Sequence, residues 1–121
     1  MPGWVLVALG SAIGGVARFG VSVIGVRWLG PGFPWATLAV NILGSAFIGW
    51  LAASLPLQPP SARLFWMTGV CGGFTTFSAF SLETFSLVRQ GEAMRAAIYT
   101  AASLMLCGLA VVGGAALGRG R

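Results

Sequence analysis

Long stretches without a charged residue constrain the fold of this chain more than any other feature of its sequence. Four such stretches cover residues 2–17, 33–62, 64–82 and 96–118. A membrane-spanning helix needs about 20 mostly apolar residues, each adding about 1.5 Å of rise. Only 7% of the residues are charged, whereas a soluble domain has about a quarter. The sequence therefore predicts an all-α membrane protein and not a soluble domain.

Turn-forming residues divide the chain into four predicted transmembrane helices, which form a single domain over residues 1–121. The helices are expected at about 4–25, 35–54, 62–88 and 93–118. A connection rich in proline and glycine at 29–34 and one rich in proline at 55–60 separate the first three, because such stretches cannot continue a helix. Five tryptophans lie near predicted helix ends, where the ring prefers the membrane interface: Trp4, Trp28, Trp35, Trp50 and Trp66. No Lys or Arg precedes the first apolar run, so we expect a first span and not a cleaved leader.

Six of the seven arginines lie where hydrophobic segments end, as expected for headgroup anchors and not for a nucleic-acid-binding patch. Four spans place three arginines on each side of the membrane: Arg63, Arg119 and Arg121 on one, and Arg27, Arg89 and Arg95 on the other. Orientation follows an excess of Lys and Arg on the cytoplasmic side, so a tie predicts dual topology and an antiparallel homodimer. A bias from Arg18 or the N-terminal amine would instead fix one orientation.

Small residues recur at four-residue spacing in all four predicted helices. The pairs are Gly10 and Gly14, Ser45 and Gly49, Gly69 and Gly73, and Gly114 and Gly118. In lipid, small residues let two helix backbones approach closely, and packing drives the association. The spacing therefore predicts tight helix packing, either within the chain or between chains.

Asn41 lies in the middle of the second predicted helix, with Thr37 and Ser45 one turn to either side. A spacing of four places all three on one helix face. Polar side chains at membrane depth are costly and often functional. An amide and two hydroxyls can donate hydrogen bonds along a line, as a dehydrated anion requires. Hydrogen bonding between helices, which is common for these residue types in membranes, explains the pattern equally well.

The third predicted helix contains the run GGFTTFS at 72–78, near the expected middle of the membrane. Paired glycines and β-branched threonines are poor helix formers, so we predict a broken helix. Unwound backbone at this depth must be satisfied by protein or by a cavity, and it often holds ions. Two copies on a two-fold axis could cage a cation with their carbonyl groups. A simple packing kink is the alternative.

Aromatic and hydroxyl side chains follow this run. Phe77 and Phe80 share one helix face, and Ser78 and Ser81 share an adjacent one. The edge of a phenyl ring is positive, so ring edges facing a pore would favour an anion, with serine hydroxyls as donors beside them. Contact with lipid or with another helix is the simpler explanation.

Arg18 and Glu83 are the charged residues nearest to membrane depth. Arg18 lies late in the first predicted helix, where it could draw anions into a vestibule or extend to the headgroups. Glu83 lies close to the end of the third, where it could pair with an arginine or guard an entrance. Both residues are therefore candidates for the ends of an anion pathway.

Several function classes are excluded by what the sequence lacks. The chain has no His and no Asp, which removes the groups that most enzymes use. Cys71 and Cys107 have no metal-ligand spacing and are interpreted as small buried hydrophobes. A small multidrug exporter needs a carboxylate in its first helix, which here carries Arg18 instead. A purely structural subunit would explain the small residues but not Asn41 and the broken helix together. The residues thus favour a passive pathway for a small anion.

Three motifs together resemble the Fluc (CrcB) family of fluoride channels. They are GGVARFG at 14–20, WATLAVN at 35–41 and GVCGGFTTFSAFS at 69–81. The resemblance covers essentially the whole chain. It implies an antiparallel, dual-topology homodimer in the cytoplasmic (inner) membrane, which exports fluoride passively through two pores. It also implies a structural sodium ion at the centre of the dimer.

The resemblance further implies roles for particular residues. The fluoride pore would be lined by Thr37, Asn41, Phe77, Ser78, Phe80, Ser81 and Tyr99. Arg18 and Glu83 would lie near the vestibules, and backbone oxygens of Gly72 and Thr75 would hold the sodium ion. Ala79 departs from the Thr that is common at this position in the family, which removes one hydroxyl from the expected polar track.

Overall fold

The computed structural model describes residues 1–55 and 60–120, in which all the regular secondary structure is helical and no strand is found. Helix α1 is Gly3–Leu29, α2 is Trp35–Ser54, α4 is Phe77–Arg89 and α5 is Ala93–Arg119. Helix α3 covers residues 60–74 and comprises the α-helical Pro60–Arg63, the π-helical Leu64–Cys71 and the α-helical Gly72–Phe74. The prediction of an all-α fold is confirmed.

The helix boundaries differ from the predicted ones mainly at the end of the first helix and within the third. Helix α1 continues past the predicted end to Leu29 and stops at Gly30, whose φ of 77° lies in the left-handed region that glycine adopts readily. Arg27 therefore lies in the last helical turn. Residues 56–59 of the predicted connection at 55–60, and Arg121 of the charge count, lie outside the described residues.

Three continuous helices, α1, α2 and α5, are long and apolar enough to cross a membrane. The third hydrophobic segment is not one continuous helix, since Thr75 and Thr76 have extended backbone between α3 and α4. An interruption of this kind requires other groups to satisfy the free backbone at its ends. The described residues are those of a multi-pass membrane protein.

Glycines bring the helices into close contact, as their spacing predicts, and the contacts lie within the chain. Helix α1 packs along α3, and α2 packs along α5. A Cβ added at Gly14 would overlap the carbonyl oxygen of Val70 on α3. One added at Gly114 would overlap the carbonyl oxygen of Ala46 on α2. Only a residue without a side chain permits these approaches of backbone to backbone.

A small buried cluster fixes the arrangement of α2, α4 and α5. Its members are Leu38, Leu87, Ala96 and Tyr99, with Phe33, Ile42 and Phe80 packed against them. Tyr99 is completely buried. The cluster therefore holds the α4 segment, which follows the interruption, against the α2–α5 pair.

Candidate functional site

The interruption between α3 and α4 is held by a side chain from α2. Thr76 has an extended backbone, with φ −150° and ψ 121°. The Thr76 N–H donates to Oδ1 of Asn41 at 2.9 Å, and Nδ2 of Asn41 donates to the Thr76 carbonyl oxygen at 3.2 Å. One amide thus satisfies both polar backbone groups of the residue that leaves the helix. Asn41 is therefore positioned on the interruption itself.

The two helix ends at the interruption are closed by hydroxyl and guanidinium groups. The hydroxyl of Thr76 caps α4 by accepting the Ala79 N–H at 3.1 Å. The hydroxyl of Thr75 donates to the Cys71 carbonyl oxygen at 3.0 Å. Nε of Arg18 donates to the Gly73 carbonyl oxygen at 3.2 Å, and a cation is favourable at a helix C-terminus. Arg18 thus contacts the end of α3.

A second polar cluster joins α2, α4 and α5 at Glu83. Thr37 Oγ1 donates to Glu83 Oε2 at 2.9 Å, and the Tyr99 hydroxyl donates to Oε1 at 2.9 Å. Thr37 and Tyr99 are both buried. Each carboxylate oxygen therefore has a hydroxyl donor, and hydrogen bonds to a charged acceptor are among the stronger ones. The sequence predicts that Glu83 pairs with an arginine or guards an entrance. The structure adds the two hydroxyl partners, which the sequence did not indicate.

The phenylalanines connect the two clusters. The ring centroids of Phe77 and Phe80 are 5.5 Å apart, and those of Phe80 and Tyr99 are 5.2 Å apart. Phe80 is half-buried, while Phe77 has 76% of its surface exposed. Ser78 and Ser81 are exposed as well. The start of α4 therefore presents aromatic and hydroxyl groups on the outside of this single chain.

A cavity of about 400 Å³ lies beside the interruption. Of the residues singled out in the sequence, it is lined by Asn41, Ser45, Gly72, Thr75, Phe77 and Phe80. A second cavity of about 230 Å³, at the connection between α1 and α2, is lined by Thr37 and Glu83. Arg18, Ser78, Ser81 and Tyr99 line neither of these two cavities. Most of the predicted site residues thus line one of two cavities, and Phe80 of the larger cavity contacts Tyr99, which is bonded to Glu83 of the smaller one.

Two residues of α5 that sequence reasoning left out of the site, Ser103 and Cys107, also line the larger cavity. They follow Tyr99 at intervals of four, so the three share one face of the helix. Ser103 Oγ is buried and has no hydrogen-bond partner among the described residues. The four-residue spacing was the available signal, but α5 is apolar on all sides and the spacing alone does not show which face is turned inward.

The carbonyl oxygens of Gly72 and Thr75 are the candidate ligands of the predicted cation. Neither is among the acceptors of the hydrogen bonds described at the interruption. Both residues line the larger cavity, and a helix C-terminal end carries partial negative charge. Hard cations prefer oxygen ligands and typically take about six of them. Two oxygens from one chain therefore require further ligands from elsewhere.

Comparison with known proteins gives one family and a consistent set of relatives. A family model described as CrcB-like protein, Camphor Resistance (CrcB), matches residues 5–115. A fluoride-specific ion channel FluC of Hyphomonas neptunium is 51% identical over 110 residues, which are 88% of this chain and 87% of the relative. A channel of the same name from Agrobacterium fabrum is 50% identical over 117 residues, 94% of each chain. A third, from Nitrobacter winogradskyi, is 46% identical over 111 residues, 89% of this chain and 88% of the relative.

Proposed function

The chain belongs to the CrcB family, and from that membership and the geometry of its site we propose that it is a fluoride channel. The family is one of ion channels and not of enzymes. Within the structure, the observation that carries the proposal is Asn41, which lies on the interruption between α3 and α4 and lines the larger cavity together with Phe77 and Phe80. These residues combine a neutral donor with aromatic rings, whose edges are positive, and both suit an anion.

The pathway works by replacing the water around a small anion with fixed donors. An amide NH₂ carries two N–H groups, and the bond from Asn41 to the Thr76 carbonyl oxygen uses one of them. The second is the donor that we assign to fluoride. Because Asn41 is fixed by two bonds to Thr76, the donor is already oriented and loses little entropy on binding.

Around Glu83, which lines the second cavity, the hydroxyl donors are already occupied. The hydroxyls of Thr37 and Tyr99 both donate to Glu83. An anion can use them only by competing with the carboxylate, which also repels it. We propose that fluoride passes from the larger cavity along Phe80 and Tyr99. Competition with the carboxylate then shortens the time that the ion remains bound near Glu83.

We further propose that the working unit is an antiparallel homodimer with two pores. A partner copy would cover Phe77, which is 76% exposed, and Ser78, which is also exposed. Two-fold symmetry would then give one larger cavity from each chain and hence two pathways. The even division of arginines in the sequence supports insertion in both orientations. In the cytoplasmic membrane, the inside-negative potential would drive an anion outward through such a pathway, which is passive export.

The experiment that tests the function is efflux from liposomes that contain the purified protein and are loaded with potassium fluoride or potassium chloride. Valinomycin starts the efflux by letting K⁺ carry the compensating charge, and no proton gradient is imposed. We expect rapid fluoride efflux, recorded with an ion-selective electrode, and little chloride efflux. Protein-free liposomes are the control. Folded protein that releases no fluoride, or releases chloride equally well, would overturn the proposal.

We propose that sodium is the cation held by Gly72 and Thr75, with the matching oxygens of the second copy as further ligands. Replacing sodium with N-methyl-D-glucamine at constant ionic strength should then weaken the dimer. An ion present at about 100 times its dissociation constant stabilises the bound state by about 2.7 kcal/mol. The protein concentration at half-dissociation should accordingly rise about a hundredfold, as measured by light scattering in detergent.

The comparison with potassium separates a specific site from a general salt effect. A sodium site of fixed size should leave potassium unable to restore the dimer fully. A dimer that is equally stable in all three cations would show that the interruption is a packing kink without an ion.

A further inference from the structure

Both cysteines of the chain line the larger cavity, although neither has a part in the proposed function. Cys71 lies on α3 and is 2% exposed, and Cys107 lies on α5 and is half-buried. Both are free thiols. The same cavity is lined by Asn41, Phe77 and Phe80. The more accessible thiol, Cys107, therefore borders the space that we assign to the ion.

The surroundings of Cys107 indicate that water or an ion occupies this cavity. Ser103 lies one turn before Cys107 and lines the same cavity. Ser103 is 7% exposed, and its Oγ has no hydrogen-bond partner among the described residues. A buried hydroxyl without a protein partner is unfavourable unless water or an ion takes its place. Water that fills this space would also give a small polar reagent access to the Cys107 thiol, which lines the same cavity.

We propose that Cys107 is a modification site for small thiol-directed electrophiles and that its modification blocks the anion pathway. With methyl methanethiosulfonate, the Cys107 thiolate attacks the sulfenyl sulfur of the reagent. A disulfide bond to the S–CH₃ group forms, methanesulfinate leaves with the electron pair of the broken S–S bond, and the thiol proton passes to the buffer. The blocking part of this inference rests on the proposed function, whereas the modification itself does not.

The test compares treated and untreated protein in the fluoride efflux assay, together with the mass of the intact chain. Treatment of the wild-type protein in liposomes should add one S–CH₃ group, localised by peptide mass spectrometry to Cys107. It should lower fluoride efflux by at least about tenfold, because the added group raises the barrier to passage. Reduction with dithiothreitol should restore both the mass and the efflux.

Two matched variants assign the effect to one thiol. Cys107→Ser should show no change of efflux on treatment, and Cys71→Ser should remain as sensitive as the wild-type protein. Each variant is compared with its own untreated sample, so differences in starting efflux do not matter. Inhibition that persists in Cys107→Ser and disappears in Cys71→Ser would overturn the assignment to Cys107.

The two readouts also separate this inference from the proposed function. Modification of Cys107 with unchanged fluoride efflux would show that the thiol lies outside the pathway. A Cys107 that reacts only after denaturation would show that the cavity is closed to the reagent, and it would overturn the proposed site. Absence of fluoride efflux in the untreated protein would instead contradict the function, while labelling would still report on the site.

Discussion

Replacing Asn41 with aspartate is expected to abolish fluoride flux while the protein still folds. The carboxylate has the same shape and can still accept the Thr76 N–H, which Asn41 Oδ1 accepts at 2.9 Å. It cannot donate to the Thr76 carbonyl oxygen or to an anion, and it adds a negative charge to the pathway. Two like charges about 4 Å apart, at an effective dielectric constant of about 20, repel by about 4 kcal/mol. Flux in the liposome assay should therefore fall by roughly a thousandfold.

Asn41→Ser is the matched control, because it shortens the side chain and stays neutral. It loses the bonds that hold Thr76, so it should reduce the thermal stability of the purified protein, yet it keeps a hydroxyl donor and should retain measurable flux. If both variants lose flux equally, Asn41 acts by holding the interruption and not by contacting the ion. A folded Asn41→Asp protein with normal flux would remove Asn41 from the pathway altogether.

The sequence allowed prediction of those parts of the fold that depend on local composition. Helix α2 has the predicted bounds, because Pro34 precedes it and a Leu-Pro pair follows it. The glycine spacing predicted tight helix packing, within the chain or between chains, and the structure shows it within the chain, between α1 and α3 and between α2 and α5. Helix bounds and glycine spacing each depend on the sequence of a single helix, so they can be predicted without knowing which helices are its neighbours.

The partners within the site could not be predicted in the same way. Thr37 and Glu83 are 46 positions apart in the sequence, and Asn41 and Thr76 are 35 apart. Which side chains meet depends on how each helix is rotated about its axis. In a soluble protein the apolar stripe shows that rotation, but a helix that is apolar on all sides gives no such signal. The sequence therefore singled out Asn41 as a candidate hydrogen-bond donor to an anion or to another helix, but it did not indicate that Asn41 holds Thr76.

Replacing Gly114 with valine should have the largest effect on stability among substitutions outside the candidate site. Gly114 lies on α5 against the backbone of α2, and even a Cβ would overlap the carbonyl oxygen of Ala46. The neighbour is backbone within a helix, so it cannot turn aside as a flexible side chain would. We expect the free energy of unfolding to fall by about 3 kcal/mol, the upper end of the usual range for overpacking. Unfolding in mixed detergent micelles, followed by tryptophan fluorescence, measures this change.

Gly113→Val is a control at the neighbouring position on the same helix. A Cβ at Gly113 meets no atom within 4 Å, so the added side chain would face lipid or a partner copy. Its effect on helix propensity is small and favourable, since valine forms helices better than glycine. The monomer structure thus predicts a loss of stability at position 114 and none at 113. Equal losses at both positions would indicate that position 113 is packed against a second copy of the chain, because fluid lipid or detergent would give way to the added side chain and a packed partner would not. Equal tolerance at both would contradict the close packing of α2 against α5, by which Asn41 and Ser103 are brought to the same cavity.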